Sequence, residues 1–149
     1  MKLYQGEVGG EALFSAMAAL ATDPLRRYQF GVMLQFESET KVRLRPFLAR
    51  LGLPLAEDEA ERAGGLELGG YYAALPWAQF LEEFDASIRR YVAQYEATEA
   101  VGPAADKAVL HSMVEHEQAF LWYLECERRG DSRHSLDRIT GLLQHPLLP

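Results

Sequence analysis

Cysteine is nearly missing from this chain of 149 residues: Cys126 stands alone. No internal disulfide can form, Cys-x-x-Cys zinc spacing cannot occur, and Cys126 reads as a bystander or a subunit-contact residue ahead of a catalytic thiol. Basic charge is also short. With 15 Lys and Arg against 22 Asp and Glu the net charge is -7, and the basic residues are scattered over several segments without forming a stripe. Such a surface repels phosphate backbones, so nucleic acid is not an expected partner. No segment approaches the roughly 20 uninterrupted apolar residues of a membrane span, and the N-terminal MKLYQGEVGG has no apolar core of a signal peptide. The expectation is a cytoplasmic protein with no membrane association. Strand-type alternation is missing throughout. What is present is an ordinary globular balance, 25 % charged and 48 % apolar, which suits one domain over residues 1–149 with a substantial core.

The apolar positions recur at helical spacing. Leu13, Phe14, Met17, Leu20 and Ala21 predict a helix over 3–21, which ATDP closes. Asp23 is placed to cap the next helix with Pro24 at its first position, and Phe30, Met33, Leu44, Phe47, Leu48 and Leu51 carry it over 24–51 as far as Gly52. From Leu53 to Leu75 the chain turns acidic and glycine-rich (LPLAEDEAERAGGLELGG), which reads as a long, solvated connection with room for one short helical turn. A helix over 76–99 carries Trp77, Phe80, Leu81, Phe84, Ile88, Tyr91, Val92 and Tyr95 on one side until VGP interrupts it. The next spans 103–129 and stops at Gly130; a short helix over 135–144 leads into HPLLP, expected as an extended strap. Four long helices with one long central connection point to an all-α four-helix bundle of two helical hairpins. The halves are loosely alike, each with a proline-containing break, a glutamate midway along its second helix and a closing glycine, Gly52 or Gly130.

The stretch MVEHEQAF, residues 113–120, sets a carboxylate among apolar residues. At about 100° per residue, Leu110, Met113, Val114, Phe120, Leu121 and Leu124 share one sector, with Glu117 near its centre and His116 at its margin. Helix 24–51 repeats the pattern, with Glu37 inside the apolar sector and Thr40 beside it. Counting about 1.5 Å per residue, both glutamates fall near mid-height of their helices. A buried carboxylate without compensation is too costly, so such a pair must share a proton, meet cationic or hydroxyl partners, or bind a metal.

These segments resemble the ferritin-like superfamily, in particular rubrerythrin-type bundles. EALFSAMAALATDPLRRYQFGVMLQFESETKVRLRPFLARLG is similar to that family's first hairpin and AVLHSMVEHEQAF to its last helix, so the likeness covers most of residues 7–129. It implies a centre of two iron or manganese ions, held by a Glu from each of two helices and a Glu-x-x-His from each of the other two. Glu37 and Glu117 match the glutamates, but Thr40 and Phe120 stand where the histidines belong. The matching inward positions on the remaining helices are Phe84 and Gly10, the latter flanked by Glu7 and Glu11. The full six-ligand set is therefore absent.

Three readings stay open. Glu7, Glu37, Glu117 and His116 would form a reduced metal site for oxygen or Lewis-acid chemistry. Alternatively, the glutamates bond to each other through a shared proton, or to hydroxyls, in a bundle that has lost its metals. In the third, they act as a general base or hold a cationic ligand in a pocket walled by Thr40, Phe84, Tyr91 and Phe120. His111 with Glu115 reads as a surface pair, Lys41 as an exposed partner of Glu37 or a pocket cation, and the Ser, His and Asp of GDSRHSLD as a polar loop. Two classes of function follow: a small metal-dependent oxidase using Glu37, Glu117 and His116, or a non-catalytic helical module, expected as a homodimer, that binds a small molecule or a protein. Loss of both Glu-x-x-His histidines favours the second.

Overall fold

The computed structural model describes residues 2–145. Every regular element among them is helical, in keeping with the all-α reading, and none is long and apolar enough to cross a membrane. The described chain divides into two compact units: residues 2–75 together with residues 143–145, and residues 76–142.

The first unit contains α1 (Lys2–Leu20), α2 (Pro24–Arg50) and α3 (Glu59–Ala74). Asp23 caps α2 as its sequence position suggests, its carboxylate accepting the Leu25 N–H at 3.1 Å with Pro24 next in line. Arg27 in turn donates to the Ala21 carbonyl just beyond α1, which closes the hairpin tightly. Gly52 ends the second helix at φ +65°, with Leu53 N–H bonded to Leu48 O at 3.0 Å. That left-handed turn is the one glycine adopts without steric cost. Leu20 and Leu51, counted among the apolar stripes, are exposed, because each lies at the end of its helix where no neighbour covers it.

The long connection expected over Leu53–Leu75 is corrected by the structure: 16 of those residues form α3. Its glycines read as loop signals, yet they are what allow the helix to lie against α1. A Cβ at Gly65 would fall 2.2 Å from Gly9 O and one at Gly69 2.4 Å from Leu13 O, so only hydrogen fits at either crossing point. Asp58 caps α3 through the Ala60 N–H. The linker ahead of it is pinned to the first turn of α1, with Tyr4 Oη donating to Leu55 O, Gln5 Nε2 to Ala56 O, and Asp58 N–H to Gln5 Oε1.

The end of the described chain also belongs to this unit. Glu39 on α2 accepts the Gln144 N–H at 2.6 Å and the His145 N–H at 3.3 Å, while the Gln35 amide donates to Glu39 and to the His145 carbonyl. These bonds to N–H donors hold the Glu39 carboxyl below its ordinary pKa against the opposing effect of burial. The rest of the expected strap, residues 146–149, lies outside the described residues.

The second unit contains α4 (Trp77–Val101), a 3-10 turn (Ala104–Asp106), α5 (Lys107–Arg128) and α6 (Asp137–Leu142). Gly102 makes the turn between the long helices, since a Cβ there would sit 2.2 Å from Leu110 Cδ1. Arg128 ties the end of α5 to α4 through Asp85 at 3.0 Å and the Leu81 carbonyl at 2.9 Å. Gly130 repeats what Gly52 does, with φ +75° and Asp131 N–H bonded to Cys126 O at 2.9 Å. The loose likeness of the two halves therefore extends to how their second helices end.

The glycine crossing yields a sharp contrast. Gly65→Ala or Gly69→Ala should destabilise the protein by about 2–4 kcal/mol in urea unfolding, since backbone must move to admit the methyl. Gly64→Ala and Gly70→Ala, where an added Cβ meets nothing within 4 Å, should instead stabilise by up to about 1 kcal/mol through helix propensity. Equal effects at all four positions would contradict the close crossing.

Candidate functional site

In the first unit, Glu7 and Glu11 lie one turn apart on α1, and Glu37, Ser38 and Lys41 lie within about one turn on α2. Glu7 is 1 % exposed and Glu37 6 %. Carboxylate oxygens of the two lie within 4.8 Å of each other. An ionised carboxylate only accepts, so a hydrogen bond between them requires a proton on one of the acids. Burial pushes the Glu37 carboxyl up to about 8; such a bond with Glu7 pulls the other way, and the nearby charge of Glu11 adds to the rise. Burial therefore favours the protonated form of Glu37 at neutral pH.

Around this pair runs an ion cluster. Lys41 Nζ is 2.5 Å from Glu11 Oε2 and 2.6 Å from Glu57 Oε1, and Arg62 pairs with Glu57 and lies 3.8 Å from Glu11. The Lys41 side chain is 7 % exposed. Burial works against its charge, but the two carboxylates outweigh that and raise its pKa; Glu57 is correspondingly held low, first by Lys41. Lys41 is thus neither an exposed partner of Glu37 nor a pocket cation: its charge is fully engaged by Glu11 and Glu57. The sequence offered one signal of this cluster, the run of acids after Pro54, which read as a solvated connection. Glu57 and Arg62 come together with Lys41 only because the linker folds back onto α1 and α2.

In the second unit, α5 carries His116 and Glu117, 1 % and 5 % exposed. The His116 ring meets the Phe120 ring edge-on at 5.2 Å; Phe120 packs at 5.6 Å against Phe84, which stacks on Phe80 at 5.4 Å. Phe84 and Phe120 are thus members of an aromatic core. Tyr91, read from the sequence as facing inward, is 39 % exposed. It lies on the apolar side of α4 with its ring 5.9 Å from that of Tyr95, but a tyrosine can bury its ring partly and leave its phenol end in water. His111 is exposed and pairs with Glu99 at 3.0 Å, not with Glu115. In the polar loop, Ser132 donates to Glu127 and His134 pairs with Asp131, so no catalytic triad forms there. A cleft of about 210 Å³ opens between α5 and α6, lined by Glu115, Gln118, Ala119, Arg138, Gly141 and Leu142.

A two-metal centre of the ferritin-like kind does not fit these residues. Thr40 is buried with its hydroxyl accepting from Arg43 at 3.3 Å, and Phe120 is locked among aromatic rings. Neither supplies the imidazole nitrogen that the centre requires.

The pKa of Glu37 sets a pH dependence. Because it rises from the usual 4.5 to about 8 on folding, its contribution to stability is complete below about 4.5. That contribution falls as pH increases and is gone once pH passes about 8. Glu37→Gln removes this slope. In urea unfolding the variant should match wild type near pH 5 and exceed it by about 1 kcal/mol or more above pH 8; parallel curves would show that Glu37 is ionised throughout.

No family model, curated protein or solved structure matches this chain. Its likeness to the ferritin-like superfamily is carried by the residue pattern alone.

Proposed function

We propose that this chain is a non-catalytic helical binding module of ferritin-like kind, a four-helix bundle in which a proton shared by Glu7 and Glu37 stands where the family keeps its metals. One observation carries the reading: two buried acids, Glu7 and Glu37, bring carboxylate oxygens within 4.8 Å of each other. A carboxyl pair closed on its own proton carries one negative charge in place of two, and Lys41, the nearest candidate counter-ion in sequence, is already held by Glu11 and Glu57. Positions 40 and 120 supply no imidazole, so neither Glu-x-x-His pair of the two-metal centre is complete.

Binding then belongs to the surface. Leu68 and Tyr71, one turn apart on α3, are 38 % and 48 % exposed and offer apolar surface to a protein partner, a second copy of the chain being the simplest. The cleft between α5 and α6 presents Glu115 and Arg138 together, a pairing suited to a small ligand carrying both charge signs.

Elemental analysis of untagged protein purified without added metal tests the proposal. It should find less than about a tenth of an equivalent of iron, manganese or zinc, with no uptake on titration near neutral pH, where the shared proton competes. Close to one or two equivalents bound, lost in Glu37→Gln, would overturn it in favour of a metal-dependent oxidase.

A further inference from the structure

We infer that Gly10 is the positioning residue of the acid pair: its missing side chain leaves the seat that the Glu37 carboxyl occupies beside Glu7, and its neighbour Glu11 fixes the register that delivers Glu37 to that seat. This deepens the reading of the pair given above and concerns the first unit alone. The geometry is direct. A Cβ on Gly10 would lie 2.5 Å from Glu37 Cδ, 2.6 Å from Oε1 and 2.7 Å from Oε2. All three distances are closer than carbon and oxygen can approach without bonding, and all three fall on one functional group. Gly10 thus differs from Gly65 and Gly69, whose added Cβ would strike backbone of α1. It also differs from Gly9, whose Cβ would make only an ordinary contact, at 3.6 Å from Glu61 O.

The seat is useful only if Glu37 arrives at its height. Glu11 ensures this by gripping α2 on either side of the next turn: its Oε1 accepts from Ser38 Oγ at 2.5 Å and its Oε2 from Lys41 Nζ at 2.5 Å. Ser38 adjoins Glu37 and Lys41 follows it by one turn. A slip of α1 along α2 would break both bonds, so adjacent residues of α1 supply the space and the alignment. Glycine in mid-helix is unfavourable relative to alanine, and the carboxyl filling its place gives a physical reason for keeping it in an otherwise ordinary amphipathic helix.

Because the obstructed atoms are the far end of a flexible side chain, Gly10→Ala should fold, with the carboxyl displaced from Glu7. A double-mutant cycle reads this out. Gly10→Ala alone should lower the unfolding temperature by about 3–8 °C. In a Glu37→Ala background the same change should be neutral or raise it, since the methyl then enters vacated space. Gly9→Ala should raise it by about 1–3 °C in either background. A structural role alone would leave the Glu37 carboxyl untouched, so its ¹³C resonance at neutral pH is the second readout. That signal should shift between wild type and Gly10→Ala, because the methyl displaces the carboxyl, and stay in place in Gly9→Ala. Glu11→Gln should move it less, through lost alignment. Additive effects at Gly10 and Glu37, or an unmoved resonance, would overturn the assignment. Metal uptake by wild type would sink the proton-sharing reading yet leave the cycle intact, so the two failures are distinguishable.

Discussion

A carboxyl group taken out of water between packed helices must keep its proton or acquire a partner, and burial pushes Glu37 toward keeping its proton beside Glu7. That constraint organises the first unit. A proton on the proposed pair would let Glu7 and Glu37 face each other at close range, where two carboxylates would repel. The space for the Glu37 carboxyl comes from the absent side chain of Gly10, and the alignment of α1 with α2 comes from Glu11 bonded to Ser38 and Lys41. Nothing in this arrangement requires unusual backbone; it requires small and acidic residues at the right turns of two ordinary helices.

The same two helices determine what surrounds the pair. Lys41 is a buried cation, and a buried ion pair is a weak source of net stability because desolvation offsets most of the attraction. Its value here is in register and attachment. By holding Glu57, which also takes Arg62, it ties the linker before α3 to α2. The linker in turn delivers Gly65 and Gly69 onto the backbone of α1. Polar contacts therefore decide where α3 goes, and close packing holds it there. The second unit is built differently, on the rings of Phe80, Phe84 and Phe120 and on the Arg128–Asp85 bridge between α4 and α5.

Much of this was legible in the sequence. Helical periodicity, Asp23-Pro24 and the closing glycines located four long helices to within a few residues, because each of those signals acts locally. The inward placement of Glu37 and Glu117 followed from the same periodicity, which put His116 only at the margin of its sector, whereas the structure buries it fully. What could not be read was whatever depends on a partner segment. Gly65 and Gly69 look like loop residues until an opposing backbone is known, so α3 was missed. Lys41 looks like a solvated lysine until Glu57 arrives from across the linker. Tyr91 occupies the apolar side of α4, and only the local packing around it leaves its phenol exposed. Gly10 showed as an inward position without a side chain, but its meaning depends on which atom of α2 fills the gap.

The resemblance to ferritin-like bundles and the chemistry of the core lead to different expectations, and the shared proton separates them. Infrared difference spectroscopy between neutral and strongly alkaline solution detects that proton directly, through the C=O stretch of a protonated carboxyl. Wild type should show such a band at neutral pH, disappearing as pH rises past about 8, and Glu37→Gln should lack it. A wild-type spectrum with no protonated carboxyl at neutral pH would mean that Glu7 and Glu37 are both ionised, and that a cation occupies the place assigned here to a proton.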